Sequence, residues 1–294
     1  MILPTLLNSR LRPFPARNFL FPFLLLFVGC AEHAPGKGPH DVFFAYGNGD
    51  GIYVVSGDGS VNQKVIGGAY YQAALSPDKT KIACVYDKDF QITIFDLDEN
   101  FGSRGKPKVV FNSQAAAQGS PFAAVCCPTW SPDGQKVYFL SANHLIVYDY
   151  QEKKTSSLFD FPEGQLGGQT AENGDMKLSK EGDSLDVMLS EGTGRLAFWA
   201  INLGSNQGIQ VASAGRDLLA SFNFPPDLPA DFIERLFGSR ENPVLGPVDS
   251  PDSRFFFYFK KEQGFLARKI IEGYDRNSKE KFDVTTLGVS IYSN

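Results

Sequence analysis

The sequence predicts an all-β chain: a β-propeller of about five four-stranded blades, six being the alternative count, with a short helical insertion between blades four and five. Three observations carry this: a recurring turn, the interval at which it recurs, and the texture of the strands behind it. The turn is clearest at Ser131-Pro132-Asp133-Gly134. Pro presets φ for the second turn position, Asp can bond its own backbone and Gly accepts φ > 0, so these residues reverse the chain. The turn returns as Ser76-Pro77-Asp78-Lys79 and Ser250-Pro251-Asp252-Ser253, and in degraded form as Ser179-Lys180-Glu181-Gly182. Successive turn serines lie 55, 48 and 71 residues apart. The first two intervals are near the ~40–50 residues of one propeller blade, and the third requires an insertion. Behind the turns, Phe255 to Phe259, Val137 to Leu140 and Ile82 to Val85 are apolar at consecutive positions. Such strands must be buried on both faces. Stacked blades achieve that, whereas a two-sheet sandwich would show cleaner alternation in its outer strands.

Composition agrees. Of 294 residues, 43% are hydrophobic, 21% are charged and 26 are Phe, which excludes a disordered or fibrous chain. The formal net charge of -5 leaves no basic patch for phosphates and argues against a nucleic-acid partner.

Taken in order, residues 1–29 hold three arginines, no acid and the apolar run Phe19 to Val28. That run is too short to span a bilayer and fits the h-region of a secretory signal. It closes on Phe27-Val28-Gly29-Cys30, which resembles the bacterial lipobox, with Phe where Leu is usual. The resemblance implies cleavage before Cys30, its acylation, and retention at the outer membrane on the periplasmic side or cell surface. An ordinary signal peptide or an N-terminal anchor are the alternatives. Residues 30–40, small, polar and rich in Gly and Pro, read as a flexible tether, and 41–294 as the propeller.

Unit one reads as strands over Asp41 to Ala45, Gly51 to Val55 and Val61 to Ile66. Unit two has Tyr70 to Leu75, Lys81 to Tyr86, Gln91 to Asp96 and Lys108 to Phe111. Unit three has Phe122 to Cys127, Lys136 to Leu140, Leu145 to Asp149 and Lys154 to Phe159. Unit four has Met176 to Leu178, Leu185 to Leu189, Arg195 to Ile201 and Ile209 to Val211. Unit five has Val244 to Val248, Phe255 to Phe259, Leu266 to Ile271 and Phe282 to Val284. Between the last two, Ser213 to Arg240 contains Pro229 to Phe237, a short helix with Phe232, Leu236 and Phe237 on one side; a decayed extra blade is the alternative. Unit one lacks an innermost strand, and Val289 to Tyr292 is a surplus one that would complete it and close the ring.

The motif Pro-x-Trp-Ser-Pro-Asp-Gly before an apolar strand, here Pro128 to Gly134, resembles the propeller repeat of the TolB family and of prolyl-oligopeptidase-type peptidases. The resemblance covers residues 41 to 292 and implies a propeller and, for TolB-like members, a periplasmic protein-binding scaffold. TolB itself has six blades and a separate N-terminal α/β domain, so its own role does not transfer.

Catalytic constellations are sparse. No Gly-x-Ser-x-Gly elbow occurs. Outside the leader and tether the one histidine is His144, read as a solvated turn residue. Ser278 and Lys281 fit Ser-x-x-Lys without companion motifs, and Asn48 to Gly51 resembles part of a calcium loop whose closing glutamate is replaced by Gly57. Cys126-Cys127 lacks zinc-ligand spacing. On a strand the two thiols should point to opposite faces, and one of them could reach Cys84; otherwise all three are buried thiols. No metal or cofactor is expected.

Loops entering the innermost strands should converge on one face, which makes Tyr70, Tyr71, Ser120, Phe122, Glu172, Asn173, Arg240 and Glu241 the binding candidates. Tyr70, Tyr71 and Phe122 are equally expected as packing between blades. The function read from the sequence is a non-catalytic envelope lipoprotein whose propeller face binds another envelope protein or a small ligand. A glycan-acting propeller enzyme with paired carboxylates, or a structural module docking through residues 213–240, are the alternatives.

Overall fold

The computed structural model describes residues 38–47, 50–86, 90–113, 125–162, 165–166, 175–191, 195–215, 218, 222, 224–241, 243–244, 247–250, 253–261 and 269–286. They form five antiparallel sheets. Sheet one is β1 (Phe43–Gly47), β2 (Gly51–Ser56) and β3 (Asn62–Gly67). Sheet two is β4 (Tyr70–Leu75), β5 (Lys81–Tyr86), β6 (Gln91–Leu97) and β7 (Ser103–Asn112). Sheet three is β8 (Val125–Trp130), β9 (Lys136–Ser141), β10 (His144–Asp149) and β11 (Lys154–Asp160). In sheet four, β12 (Gln165–Leu166) and β13 (Asp175–Leu178) pair successively along one edge of β14 (Ser184–Glu191), followed by β15 (Arg195–Asn202) and β16 (Gln207–Gly215). Sheet five is β17 (Val248–Asp249), β18 (Phe255–Lys261), β19 (Lys269–Asp275) and β20 (Glu280–Thr286). The only regular helix among the described residues is α1 (Ala230–Phe237).

Each apolar run divides its side chains between two neighbours, as the alternation of a strand requires. On β1, Ala45 joins Ile82 and Cys84 of sheet two, while Phe44 stacks on Phe257 of sheet five with ring centroids 4.9 Å apart. On β5, Ala83 and Val85 turn the other way and pack with Trp130 and Phe139 of sheet three. Leu140 and Leu145 in turn meet Val187, Leu189 and Trp199 of sheet four. Because the first sheet packs on the last through Phe44, Val55, Phe257 and Val284, the array is a closed five-bladed ring.

The seam between sheets four and five is built differently. There Met188, Leu196 and Phe198 are covered by Phe232, Ile233, Leu236 and Phe237 of α1, all at most 3% exposed. The far end of the helix abuts sheet five, where a Cβ at Gly238 would stand 2.8 Å from the Phe256 ring and Arg276 Nε donates to the Gly238 carbonyl at 3.2 Å. The insertion is therefore a wedge filling the gap between two blades. It begins after Gly215, three residues later than the sequence reading placed it, because β16 runs on to that residue.

The turns repeat at the level of single hydrogen bonds. At Ser131 the hydroxyl donates to Asp133 Oδ1 at 2.5 Å and accepts the Lys136 N–H at 2.8 Å, while Gly134 N–H donates to the Ser131 carbonyl at 2.9 Å. Ser76, Asp78, Lys81 and Lys79 reproduce the set. At the degraded Ser179 turn Asp183 replaces the missing aspartate, accepting from Ser179 Oγ at 2.8 Å. A further copy, unnoticed in the sequence, is Ser56-Gly57-Asp58-Gly59, where Ser56 Oγ donates to Asp58 Oδ1 at 2.6 Å and accepts the Val61 N–H at 2.8 Å. It joins β2 to β3.

These carboxylates are held in the charged form. The Ser131 hydroxyl, then the Gln135 N–H, draws Asp133 below the usual carboxylate range. Burial opposes the shift at Asp78, yet the Ser76 and Thr80 hydroxyls keep it at about 2. Folded values below unfolded ones mean that this stability is present above ~pH 4 and is lost as pH falls through the folded values. Ser131→Ala is thus expected to cost about 1–2 kcal/mol at neutral pH and to flatten the acid limb of a urea-unfolding series. A cost that persists unchanged at low pH would contradict the Asp133 assignment.

Candidate functional site

In every blade the outermost strand is the exposed one, as in β3, β7, β11 and β16, so β4, β8, β13 and β17 flank the ring axis. These inner strands are irregular. The pairing of β4 with β5 shifts between Tyr71 and Ala73, with Gln72 at φ 49, and that of β8 with β9 shifts between Cys126 and Thr129, with Cys127 at φ 61. The two bulges are tied together: Gln72 Oε1 accepts the Cys127 N–H at 2.8 Å. Nearer the serine turns, Trp130 Nε1 donates to the Ala74 carbonyl at 2.9 Å. Non-glycine residues at positive φ store backbone strain.

The bulge overturns the expected geometry of the cysteines. An extra residue in β8 breaks the strict alternation of side chains. Cys126 and Cys127 consequently turn to the same side, Cys127 Sγ lying 2.8 Å from Cys126 Sγ. Cys84 reaches neither; it faces sheet one, with Cys126 on the opposite seam among sheet-four residues, and its thiol sits 3.5 Å from the Thr93 carbonyl. None of the three is disulfide-bonded.

Around the axis the inner strands act on one another electrostatically. Besides Cys126 and burial, the Asp175 carboxylate raises the Cys127 thiol, and Lys177 counters it. Burial pushes the Asp175 carboxyl up, against Lys177, and the Asp249 carboxylate adds to the rise. Asp175 Oδ1 accepts its neighbour's N–H from Met176 at 2.8 Å, whereas Oδ2, shut off from solvent, has no hydrogen-bond partner among the described residues. Lys177 donates to the Pro247 carbonyl, and Asp249 is paired with Arg276 at 2.7 Å. Cys127, Asp175, Lys177 and Asp249, coupled through these charges, lie on the inner strands of three successive blades. No sequence motif marks them.

The sequence-derived candidates are dispersed. Tyr70 opens β4 and is packed between blades, its ring 5.0 Å from Tyr86 and edge-on to Phe95 at 5.4 Å, and burial raises its hydroxyl. Tyr71 pairs with Val85 through its backbone. Glu241 is exposed and bonded to Lys279 at 3.0 Å, in the turn between β19 and β20, with Arg240 exposed beside it. That turn is on the serine-turn face, whereas Tyr70 lies at the other end of its strand, so the structure does not bring these pairs together. Ser120, Phe122, Glu172, Asn173, Cys30 and the Val289 to Tyr292 strand lie outside the described residues. His144, half-exposed as a surface residue should be, is engaged, with Nδ1 2.7 Å from Asp160 Oδ1. Of the calcium-loop fragment, Asp50 accepts from Lys64 at 2.8 Å and from Tyr53. No group of three or more potential metal ligands occurs among the described residues, nor any helix long and apolar enough to cross a membrane.

No protein-family model matches the sequence, and no curated protein is detectably similar to it. Among solved structures, TolB from Acinetobacter baumannii superposes with a TM-score of 0.52 at 15% identity, covering 82% of this chain and 62% of that one. Putative TolB from Agrobacterium tumefaciens gives 0.45 at 16% identity, covering 87% and 80%. A Mycobacterium tuberculosis puromycin-hydrolyzing peptidase gives 0.43 at 12%, covering 83% of this chain and 34% of that one. The present chain thus spans 62% of the length of the Acinetobacter protein. By its five sheets, its repeated Ser-Pro-Asp turn and its superposition on TolB, the chain is a five-bladed β-propeller with a TolB-like fold.

Proposed function

We propose that this chain is an exported lipoprotein, acylated at Cys30 and tethered by residues 30–40, whose propeller is a non-catalytic binding scaffold of the bacterial envelope. The observation that carries the binding role is the axial cluster, above all Asp175 Oδ2. A buried polar atom without a partner costs free energy, about 1–3 kcal/mol, unless a ligand or water satisfies it. Burial favours the neutral form of this carboxyl, and a neutral carboxyl can donate a hydrogen bond as well as accept one, which suits a polar group of a peptide or small ligand entering along the axis. The lipobox-like Phe27 to Cys30 supports the anchor.

A second reading draws on the same place. Asp175 and Asp249 stand on neighbouring inner strands, one with its carboxyl raised and the other paired to Arg276, and such unlike carboxylates are the equipment of glycan-cleaving enzymes. Docking through the insertion has less support, since the apolar face of α1 is buried within the ring and only Ala230, Asp231 and Glu234 of the helix are exposed.

Cys30→Ser is expected to move the protein from the membrane fraction to the soluble one; persistence in membranes would refute lipidation. In a pull-down from envelope extract, Asp175→Asn is expected to weaken the captured partner by about tenfold, equivalent to ~1.4 kcal/mol. Unchanged capture would remove the axial cluster from recognition. Oligosaccharide cleavage lost on both Asp175→Asn and Asp249→Asn would select the enzymatic reading instead.

A further inference from the structure

We propose that Cys126 and Cys127 are a redox modification site: a vicinal dithiol that a low-molecular-weight disulfide oxidises to an intramolecular disulfide between adjacent residues. The site is built by the β8 bulge. Regular strand geometry would hold neighbouring side chains on opposite faces, beyond bonding reach. Here the positive φ of Cys127 and the hydrogen bond from its N–H to Gln72 Oε1 hold both sulfurs on one side, 2.8 Å apart. That is closer than unbonded sulfurs ordinarily approach, and a small movement brings them to the ~2.05 Å of a disulfide.

The two thiols have unequal access, which orders the chemistry. Cys127 is partly exposed, while Cys126 is 1% exposed and packed among sheet-four side chains. The Cys127 thiol loses its proton, and the thiolate attacks one sulfur of the oxidant RSSR, forming a mixed disulfide and releasing one RS⁻. Cys126, deprotonated in turn, attacks the Cys127 sulfur and expels the second RS⁻. Two S–H bonds and the oxidant's S–S bond are broken; one mixed S–S bond forms and is then replaced by the intramolecular S–S bond between Cys126 and Cys127. Both protons and both electrons end on two RSH molecules. The contact with Cys126, then burial and the Asp175 carboxylate, hold the Cys127 thiol above its ordinary value against Lys177, so ring closure should accelerate with rising pH.

Closure is reversible under mild conditions. Adjacent Cα atoms are ~3.8 Å apart across a trans peptide, below the ~4.4–6.8 Å that unstrained disulfides adopt. Strained bonds of this kind are readily reduced and belong to the labile, regulatory class. Because Cys127 also holds the contact between the inner strands of blades two and three, the modification acts on the axis of the ring. The inference rests on the bulge and the sulfur positions and does not depend on what the propeller binds.

The test is peptide mapping by mass spectrometry of the full chain after incubation with oxidised glutathione over a pH series, before and after reduction. The expected product has lost two hydrogens within the one peptide containing Cys126 and Cys127, carries no glutathione there, forms faster at higher pH and reverts with a dithiol. Cys126→Ser should instead accumulate a glutathione adduct on Cys127, and Cys127→Ser should show little reaction. Before oxidation, a trivalent arsenical should be captured by the wild type and by neither variant. A linkage to Cys84, a stable glutathione adduct on the wild type, or no reaction in the folded protein at a pH where the urea-unfolded chain closes the ring would each overturn the proposal.

Discussion

Replacing Phe237 with alanine is expected to lower the unfolding free energy by about 3–5 kcal/mol, among the largest effects of any single truncation in this chain. Phe237 is 1% exposed and its ring meets Phe198 of β15 at 6.4 Å, Phe222 at 6.1 Å and Phe224 at 5.0 Å. Four of the five seams are made by sheet on sheet. At the fifth, this side chain and its helix neighbours supply the apolar surface that a facing blade supplies elsewhere. Truncation leaves a cavity that rigid strands cannot close, so the loss exceeds the transfer free energy of the ring alone. Urea unfolding reads the result directly. Glu234→Ala, on the exposed side of the same helix, should stay within ~0.5 kcal/mol and serves as the control. A loss below ~1 kcal/mol for Phe237→Ala would mean that the insertion is peripheral and that sheets four and five hold together without it.

Arg235→Ala is expected to cost about 3 kcal/mol at neutral pH, with the deficit shrinking on acidification. The Arg235 guanidinium bonds Asp186 of β14, whose side chain is 3% exposed, and also Asp231 at 3.1 Å. Burial raises the Asp186 carboxyl more than Arg235 lowers it. A folded value above the unfolded one means that this group costs stability as pH rises from ~4 through the folded value. Removing the arginine lifts that value further, so the variant suffers most where Asp186 is charged and least near pH ~3, where it is protonated in both states. Replacing both residues with leucine should recover most of the loss, since the damage is an uncompensated charge. A deficit that does not vary with pH would show that Asp186 is not its source.

The architecture was readable because its determinants are local. Ser76, Ser131 and Ser250 announce themselves through Pro and Asp at fixed offsets, and the doubly buried strands behind them need no partner to be recognised. The Ser56 turn does not stand out as a copy of the repeat because it lacks the proline and joins β2 to β3. The Ser179 turn looked decayed because its aspartate had moved to position 183, still within reach of the same hydroxyl. Amphipathic spacing located α1, but spacing alone does not say that its apolar side closes a seam between blades. The cysteines were misplaced for a related reason: strand alternation holds until a bulge intervenes, and a bulge is a property of the pairing with β9 rather than of Cys126-Cys127 themselves. Asp175 carried no local mark at all, since its raised carboxyl depends on burial and on charges contributed by β13 and β17.

The stacked rings of Phe44 and Phe257 set the order in which this molecule can mature. They join the first and last sheets, so a polypeptide that folds from its N-terminal end makes four-fifths of its blades with one flank of the opening blade still bare. Contacts so distant along the chain are slow to form, and until they do the uncovered flank is open to misassociation. A nascent-chain truncation series should therefore gain protease resistance in a single late step, when the segment bearing Phe257 and Val284 becomes available, rather than blade by blade.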